Sequence, residues 1–552
     1  MNRIVVFVRV AALLLAVTAV SPAQVTQPAW LYGSANQEQA HALVEGVDPG
    51  YCLAGWVRRP NSDGLVIKTG PGGAPQWSRI VGSPYVDDEA YSMVRTTDNC
   101  YCVAGWTDTP YGVHDFFALK LDFAGNQVWG WAYLGLQPDE AYSIIETSDG
   151  GYAICGLTYT FGPPPHPNIY LIKLSNAGMP QWARVYWASN NLADEAYSLV
   201  QTPDSGYVLV GRFIPSPEPP FFRPFVMKVD ATGSFQWVNT VTGIEAADEA
   251  FSVALDTGGD ILVAGHTWSY GTSPGVTSDL FVARFTPSGV PVWSWTYGWP
   301  GGDEHVLDDR SLVATADGGC AVCGPTTSVG LGLPNPNYLI LKLDAAGQQQ
   351  WCRSHPSAYD PGLALSDVPL PMIERAGGGY AVAGWTDSYP YKLGGGDDCH
   401  MVTLDRNGNR VVCVDPQVPE QGEMPWVPFD MFGEEAYPEI ETLVSLPWEV
   451  AFDSMCYDTM PSGVRGTRPG TGPARGFRVE AAPGRVALVL GRDARVAVRV
   501  FSPDGRMVAS LADRQFGAGR HELALGHGLA PGAYVIRASS GNETVSVKAV
   551  SY

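Results

Sequence analysis

Positive charge is scarce in this chain. Lysine and arginine total 34 against 56 aspartates and glutamates, a formal net charge of -22. A nucleic acid partner needs clustered Lys and Arg on its phosphates, so that class is excluded. Long apolar runs are also missing: after residue 20 no segment is apolar enough to cross a bilayer. No phosphate loop or zinc signature appears, and the nine histidines show no ligand spacing. Asp405-x-Asn407-Gly408-Asn409 has the letters of half a calcium loop but lacks the later bidentate Glu. Gly271-Thr272-Ser273-Pro274-Gly275 spells a nucleophile elbow, yet it lies in a long loop, and Pro274 has no N–H for an oxyanion hole. The sequence therefore assigns no catalytic residue, no metal ligand and no cofactor.

The chain opens with Arg3 and Arg9, an apolar run over 10–20, then Ser21-Pro22-Ala23. That is the pattern of a secretory signal peptide over residues 1–23, cleaved before Gln24. The mature protein is expected to be exported, without a transmembrane span, and soluble or surface-attached. Ten cysteines in such a chain invite a disulfide reading. The repeat described next places Cys52, Cys102, Cys155 and Cys323 in columns otherwise held by Ala and Val, so they read as small apolar strand residues. Cys399, Cys413 and Cys456 fall outside these columns, and their pairing stays open.

What the chain has in abundance is itself. The stretch 139–156 (Asp-Glu-Ala-Tyr-Ser-Ile-Ile-Glu-Thr-Ser-Asp-Gly-Gly-Tyr-Ala-Ile-Cys-Gly) has close copies beginning at Asp88, Asp194 and Asp248. Weaker copies bring the count to seven units, starting near residues 38, 88, 139, 194, 248, 303 and 362. A period of roughly 50 residues means a propeller, solenoid or array. Each unit holds four strand-like stretches, in the second unit 90–96, 101–107, 116–121 and 128–133. A four-stranded meander cannot bury both faces alone, but copies packed around an axis can. The expected fold is all-β: a seven-bladed β-propeller over 24–415, a Pro/Gly-rich extension and linker over 416–476, and a small Ig-like β-sandwich over 477–552. A linear solenoid is disfavoured because its rungs are shorter than these units.

Two columns mark the tight turns. A Trp follows the second turn's Gly by four residues (Gly125/Trp129, Gly178/Trp182, Gly233/Trp237), and reads as packing between blades. A basic residue precedes that Gly (Lys68, Lys120, Lys173, Lys228, Arg284, Lys342) and an acid occupies the first turn (Asp48, Asp98, Asp149, Asp204, Asp317), so at least three Lys–Asp contacts are expected. Segment 28–33 resembles a fourth strand and is expected to complete the last blade.

The opposite face carries the candidate site. If the first strand of each unit is innermost, Asp88, Glu89, Asp139, Glu140, Asp194, Glu195, Asp248, Glu249, Asp303 and Glu304 form an acidic ring at the channel mouth. The same acids in nearly every unit equally suit a structural role, fixing each blade entry by hydrogen bonds. Long loops share this face. Their aromatic residues Phe161, Phe221, Phe222, Trp268, Tyr270, Tyr389 and Tyr391 are the candidate grip on a protein or glycan.

The last segment changes composition, with ten basic residues against six acids over 477–552. Its residues Val498-Arg-Val-Phe501-Ser-Pro-Asp504-Gly505-Arg506, Gly519-Arg-His521, Leu529-Ala-Pro-Gly532-Ala-Tyr534 and Lys548 resemble the C-terminal sorting domain of type IX secretion substrates. That resemblance implies engagement of the secretion machinery and passage across a bacterial outer membrane, often with cleavage and surface attachment. More loosely, the Asp-Glu-Ala-Tyr-Ser … Asp-Gly-Gly-Tyr repeats resemble those of exported bacterial propellers, a group that brings no activity with it. Two readings of function follow. The first is a non-catalytic surface binding or scaffold module. The second is a polysaccharide-active enzyme at the channel mouth, which needs unlike groups such as His266, Asp279 and Arg310 to converge there.

Overall fold

The computed structural model describes residues 29–451 apart from 34–35, 72, 83–85, 109–112, 189–191, 216–220, 242–245, 329–335, 356–365, 388–396, 410–419, 424–425, 429–444 and 448–449. It also describes 477–551 apart from 483–484, 491–492, 502–506, 525–531 and 541–542. The expected signal peptide, Tyr389 and Tyr391 lie outside the described residues, as do Cys413 and Cys456. Two compact units are present, ending and starting at residues 459 and 460.

All regular structure in the described residues is strand. The described residues of the first unit form seven antiparallel sheets in chain order. Sheet two, for example, runs Asp88–Arg95, Tyr101–Asp108, His114–Leu121 and Gln127–Tyr133. Sheet three runs Asp139–Glu146, Tyr152–Thr158, Asn168–Leu174 and Pro180–Tyr186. Among the described residues sheet seven has Asp367–Glu374, Tyr380–Thr386 and Asp398–Leu404 of its own, and its fourth strand is Ala29–Tyr32 from the N-terminal part of the chain. The pairing Ala29↔Val402 to Tyr32↔Cys399 is the one expected for segment 28–33.

Apolar burial explains the arrangement. Among the described residues seven buried clusters fill the first unit, and each is shared by two neighbouring sheets. One of them joins Leu43, Leu53 and Leu65 of sheet one to Ala381, Cys399 and Met401 of sheet seven, so the circuit closes. The first strands of consecutive sheets are neighbours, which makes them innermost. The result is a propeller-like fold of repeated four-stranded antiparallel sheets.

Two hydrogen bonds recur between sheets and mark the same closure. Fourth-strand tyrosines donate to the turn glycine of the next sheet: Tyr133 to Gly178 (2.8 Å), Tyr186 to Gly233 (2.6 Å) and Tyr297 to Gly347 (2.6 Å). Tyr32 of sheet seven repeats the bond to Gly73 of sheet one at 2.8 Å. Likewise Thr97 N–H donates to Glu146 and Ser148 N–H to Gln201 in the next sheet, and Ala376 N–H reaches Glu45 across the closure at 2.8 Å. The Trp column lies between sheets: Trp129 packs its ring edge against Tyr152 of sheet three, and its indole N–H caps Asn176 O at 3.0 Å. A Cβ at Gly178, whose φ is +75°, would sit 2.8 Å from that indole, so the turn needs glycine for space as well as for φ.

The Lys column pairs as expected. Lys68–Asp48, Lys120–Asp98, Lys173–Asp149, Lys228–Asp204 and Lys342–Asp317 are 2.6–3.0 Å apart. In sheet five Arg284 meets Asp256 and Asp260 instead, on either side of Gly258. Burial raises the Asp149 pKa, but hydrogen bonds from Thr147 and Lys173 outweigh it and hold the carboxyl at about 2. The eight described cysteines are free thiols, and all but Cys100 are buried.

After the ring, short strands continue the extension seen in the sequence. Glu420–Glu423 pairs with the outer strand of sheet five, Trp426–Pro428 with sheet four, Ser445–Pro447 with sheet two and Val450–Ala451 with sheet one. These short strands belong to the first unit, where they extend sheets one, two, four and five. The second unit has two sheets, one of three strands and one of four, over a single apolar core that includes Val496, Val498, Val500, Leu523 and Ile536.

Turn chemistry gives a first prediction. Asn99 (φ 62°) and Ser205 (φ 64°) occupy the left-handed position that Gly150 and Gly318 hold in sheets three and six. A side chain there costs roughly 1 kcal/mol. Ser205→Gly is expected to stabilise by about 0.5–1 kcal/mol in denaturant unfolding and Gly150→Ser to destabilise by a similar amount.

Candidate binding site at the channel mouth

The motif Asp-Glu-Ala-Tyr-Ser encodes a β-bulge on each inner strand. Pairing slips by one residue between Ala90 and Ser92, Ala141 and Ser143, Ala196 and Ser198, and Ala250 and Ser252. The extra residue is Tyr91, Tyr142, Tyr197 or Phe251, and His41 takes the place in sheet one. A bulge re-aims the side chain it adds. It also presses the preceding carbonyl onto the facing strand: a Cβ on Gly105, Gly156, Gly211 or Gly265 would lie 1.9–2.0 Å from the carbonyl oxygen of Glu89, Glu140, Glu195 or Glu249. The recurrent Gly of the second strand is therefore the partner of the bulge.

The re-aimed rings run in an unbroken arc around the axis. Successive centroid separations are 5.0 Å (His41–Tyr91), 5.8 Å (Tyr91–Tyr142), 5.4 Å (Tyr142–Tyr197) and 4.6 Å (Tyr197–Phe251). Phe251 then stacks on His266, which meets His305 at 4.7 Å. Each tyrosine hydroxyl donates to the glutamate two residues before it: Tyr91 to Glu89 (2.8 Å), Tyr142 to Glu140 (2.7 Å) and Tyr197 to Glu195 (2.6 Å).

The ten acids do not form one ring. In sheets two to five the first member of each pair is buried at the sheet entry. Asp248 accepts from the Thr267 hydroxyl (2.6 Å) and from the Trp268 and Ser269 N–H groups (3.0 Å each), Asp194 from Ala188 N–H (2.9 Å), and Asp139 from Thr160 N–H (3.3 Å). Burial pushes the Asp139 pKa up to about 6 and that of Asp194 to about 8. Asp88 is fully buried in the same position. Only the second members, Glu89, Glu140, Glu195 and Glu249, face the axis, and they form an arc over sheets two to five. In sheet six the frame moves by one. Glu304 bridges to Thr326 and accepts its hydroxyl at 2.7 Å, the role of Asp248, while Asp303 accepts from Ser278 N–H and His305 takes the glutamate place.

The glutamates knit neighbouring sheets. Ser62 donates to Glu89 (2.9 Å), His114 lies 3.2 Å from Glu140, and Arg212 bridges Glu195 and Glu249 at 2.9 and 3.0 Å. Burial opposes the ionised form of Glu140, but hydrogen bonds from His114 and Tyr142 prevail and lower its pKa.

Beneath the arc the channel holds an element the repeat analysis missed. Four residues, 307–310, stand where the other inner strands have one, and they turn into the axis. The insertion touches the six other sheets. His41 Nδ1 is 3.5 Å from Asp308, Ser92 donates to the Asp309 carboxyl (2.9 Å), and Ser198 and Ser252 donate to its backbone carbonyl (3.1 and 2.8 Å). Arg310 donates to Ile144 O (2.8 Å) and accepts from Met372 N–H (2.9 Å). The serines of the repeat thus hold the plug. Three of them also accept from the next inner strand, as Ser92 does from Ile144 N–H at 3.2 Å, Ser198 from Val253 and Ser252 from Leu312. The extra length between Val306 and Ser311 was the sequence signal for this feature.

Asp308 and Asp309 are adjacent buried carboxyls, and among the described residues Asp309 Oδ1 has no hydrogen-bond partner. Burial pushes Asp308 up to about 7, and burial with the charge of Asp308 pushes Asp309 well above its usual range. His41 is driven down to about 4, mainly by burial. The other sequence candidates are placed as follows. Phe161 and Tyr270 are half-buried, each packed on one side against a sheet core. Phe222 lies under the Arg212 guanidinium at 3.9 Å, Trp268 is 6.3 Å from His305, and Phe221 is half-buried. Asp279 is buried and tied to Thr272, so His266, Asp279 and Arg310 do not converge. Among the described residues no three His, Cys, Asp or Glu side chains gather as a metal site.

The plug carries a pH signature. Acids raised in the folded state lend stability fully present below their unfolded pKa and lost as pH rises through the folded value. The Asp308–Asp309 contribution is therefore lost from about pH 4 to pH 7 and above. His41, lowered, acts with the opposite sign between about pH 6.5 and 4. Asp309→Asn is expected to gain Tm relative to the natural chain as pH rises from 4 to 8; a difference independent of pH would contradict a buried Asp309 carboxyl held above its usual range.

Among solved structures the chain is similar to a mutant levansucrase from Bacillus subtilis, at 9% identity and a TM-score of 0.26, covering 72% of this chain and 88% of that one. No family model matches the chain, and no curated protein matches it. In its first unit the chain is an all-β, propeller-like ring of repeated sheets with one face gathered around an aromatic and acidic mouth.

Proposed function

We propose that this protein is an exported seven-bladed β-propeller that acts as a non-catalytic binding or scaffold module, gripping a protein or glycan at the axis mouth on its long-loop face. Residues 477–552 would then be an Ig-like sorting domain that engages the secretion machinery, as the resemblance to type IX substrates implies. The observation that carries the binding reading is the arc of Tyr91, Tyr142, Tyr197 and Phe251 with Glu89, Glu140, Glu195 and Glu249. It gathers aromatic faces and hydrogen-bond acceptors at one end of the axis, on a rigid scaffold floored by the plug.

A second reading, polysaccharide hydrolysis, draws on the Asp308–Asp309 pair with His41 and Arg310. It is weaker, because glycoside hydrolysis needs two carboxyls roughly 5–9.5 Å apart with the sugar between them. Here the two are adjacent in the chain and both buried, and Asp309 accepts from Ser92.

The test is the full chain probed on arrays of glycans and extracellular proteins. A ligand whose capture falls at least about tenfold in Tyr142→Ala, with the fold intact by circular dichroism, supports the reading. Capture that ignores Tyr142 and Tyr197 places binding elsewhere and removes it. Turnover of a polysaccharide that Asp308→Asn abolishes would favour the second reading.

A further inference from the structure

Internal repetition makes the gaps between the four mouth glutamates comparable. Between sheets four and five the gap is filled by the chain's own cation. Arg212 pairs with Glu195 and Glu249, and its guanidinium lies 3.9 Å from the Phe222 ring centroid and 5.5 Å from that of Tyr197. Between sheets two and three His114 plays the part. It stacks on Trp106 at 3.9 Å and contacts Glu140, whose hydrogen bond raises its pKa.

Between sheets three and four the equivalent place holds no cation among the described residues. Arg212 stands opposite Glu195 in its sheet; the residue opposite Glu140 is Leu157, buried and uncharged. The rings of Tyr142 and Tyr197 line this gap 5.4 Å apart. The Tyr159 phenol, 41% exposed, is near enough to Glu195 and Glu140 for both charges to hold its proton more tightly, after the effect of burial. The Glu195 side chain is only 10% exposed, and its hydrogen bonds from Tyr197 and Arg212 all fall on Oε2. Among the described residues its Oε1 therefore has no donor.

We propose that the gap between Glu140 and Glu195 is a cation slot that receives an arginine or lysine side chain of a partner protein. Carboxylates flanked by aromatic faces are the chemistry that captures ammonium and guanidinium groups. A side chain is favoured over other cations because the neighbouring gap is filled by one, its guanidinium laid over an aromatic ring. The slot rests on the binding-module reading of the mouth and names the chemistry of its partner.

The experiment is calorimetric titration of the full chain with N-acetyl-arginine amide and N-acetyl-lysine amide, using the citrulline and norleucine amides as neutral controls. The cationic amides are expected to bind with one site, and the controls to bind at least about tenfold more weakly. Leu157→Arg should fill the slot as Arg212 does and cut affinity by about tenfold or more, while Leu157→Met, of similar volume, should leave it unchanged. Arg212→Leu should vacate the next gap and raise the stoichiometry from one toward two. Equal binding of neutral and cationic amides, or affinity unaffected by Leu157→Arg, would overturn the slot. Binding of glucosamine with none of either amide would overturn the protein partner. An array ligand that depends on Tyr142 yet binds Leu157→Arg normally would retain the binding module while removing the slot.

Discussion

Everything in the first unit depends on each sheet having a neighbour. A meander of four strands has two faces to cover, and here each face shares a buried cluster with the next sheet, including the one that joins the last sheet to the first. The join relies on a strand from the far end of the chain. Ala29–Tyr32 supplies the outer strand of sheet seven, and Tyr32 makes to Gly73 the bond that Tyr133, Tyr186 and Tyr297 make elsewhere. Without that strand one sheet would keep an open edge and one interface would lose its clamp.

The bulge links this architecture to the mouth. A regular inner strand would alternate its side chains, and Tyr91 and Ser92 would point to opposite faces. With one residue too many, the tyrosine joins the aromatic arc while the serine still reaches the plug. The cost is a carbonyl driven into the facing strand, which only glycine tolerates. One local irregularity, repeated, thus sets out the aromatic arc, the anchoring of residues 307–310 and the glycine column.

Much of this was legible in the sequence because it recurs. Period, strands, turn glycines, the Lys–Asp pairs and the N-terminal closing strand all follow from aligning units. What was not legible is what breaks the repeat or lies inside the motif. Asp88 and Glu89 are adjacent letters, but pleating sends one into the sheet entry and the other toward the axis, so the acidic ring resolved into a buried column and an arc. The frame shift at Glu304 moves the entry acid by one residue, and the insertion before Ser311 puts on the axis Asp308 and Asp309, which alignment treated as noise. Phe161 and Tyr270 looked like ligand-gripping loop residues, yet each packs on one side against an apolar cluster. Loop aromatics do not reveal from sequence which way they turn.

The central claim is that the ring is closed by its own N-terminus, and amide hydrogen exchange on the full chain tests it most directly. The account predicts that the backbone amides of Ala29–Tyr32 that pair with Asp398–Leu404 are protected to the same degree as the amides of that partner strand. Exchange of 29–32 at the rate of an unfolded chain, while the other outer strands stay protected, would show an open ring.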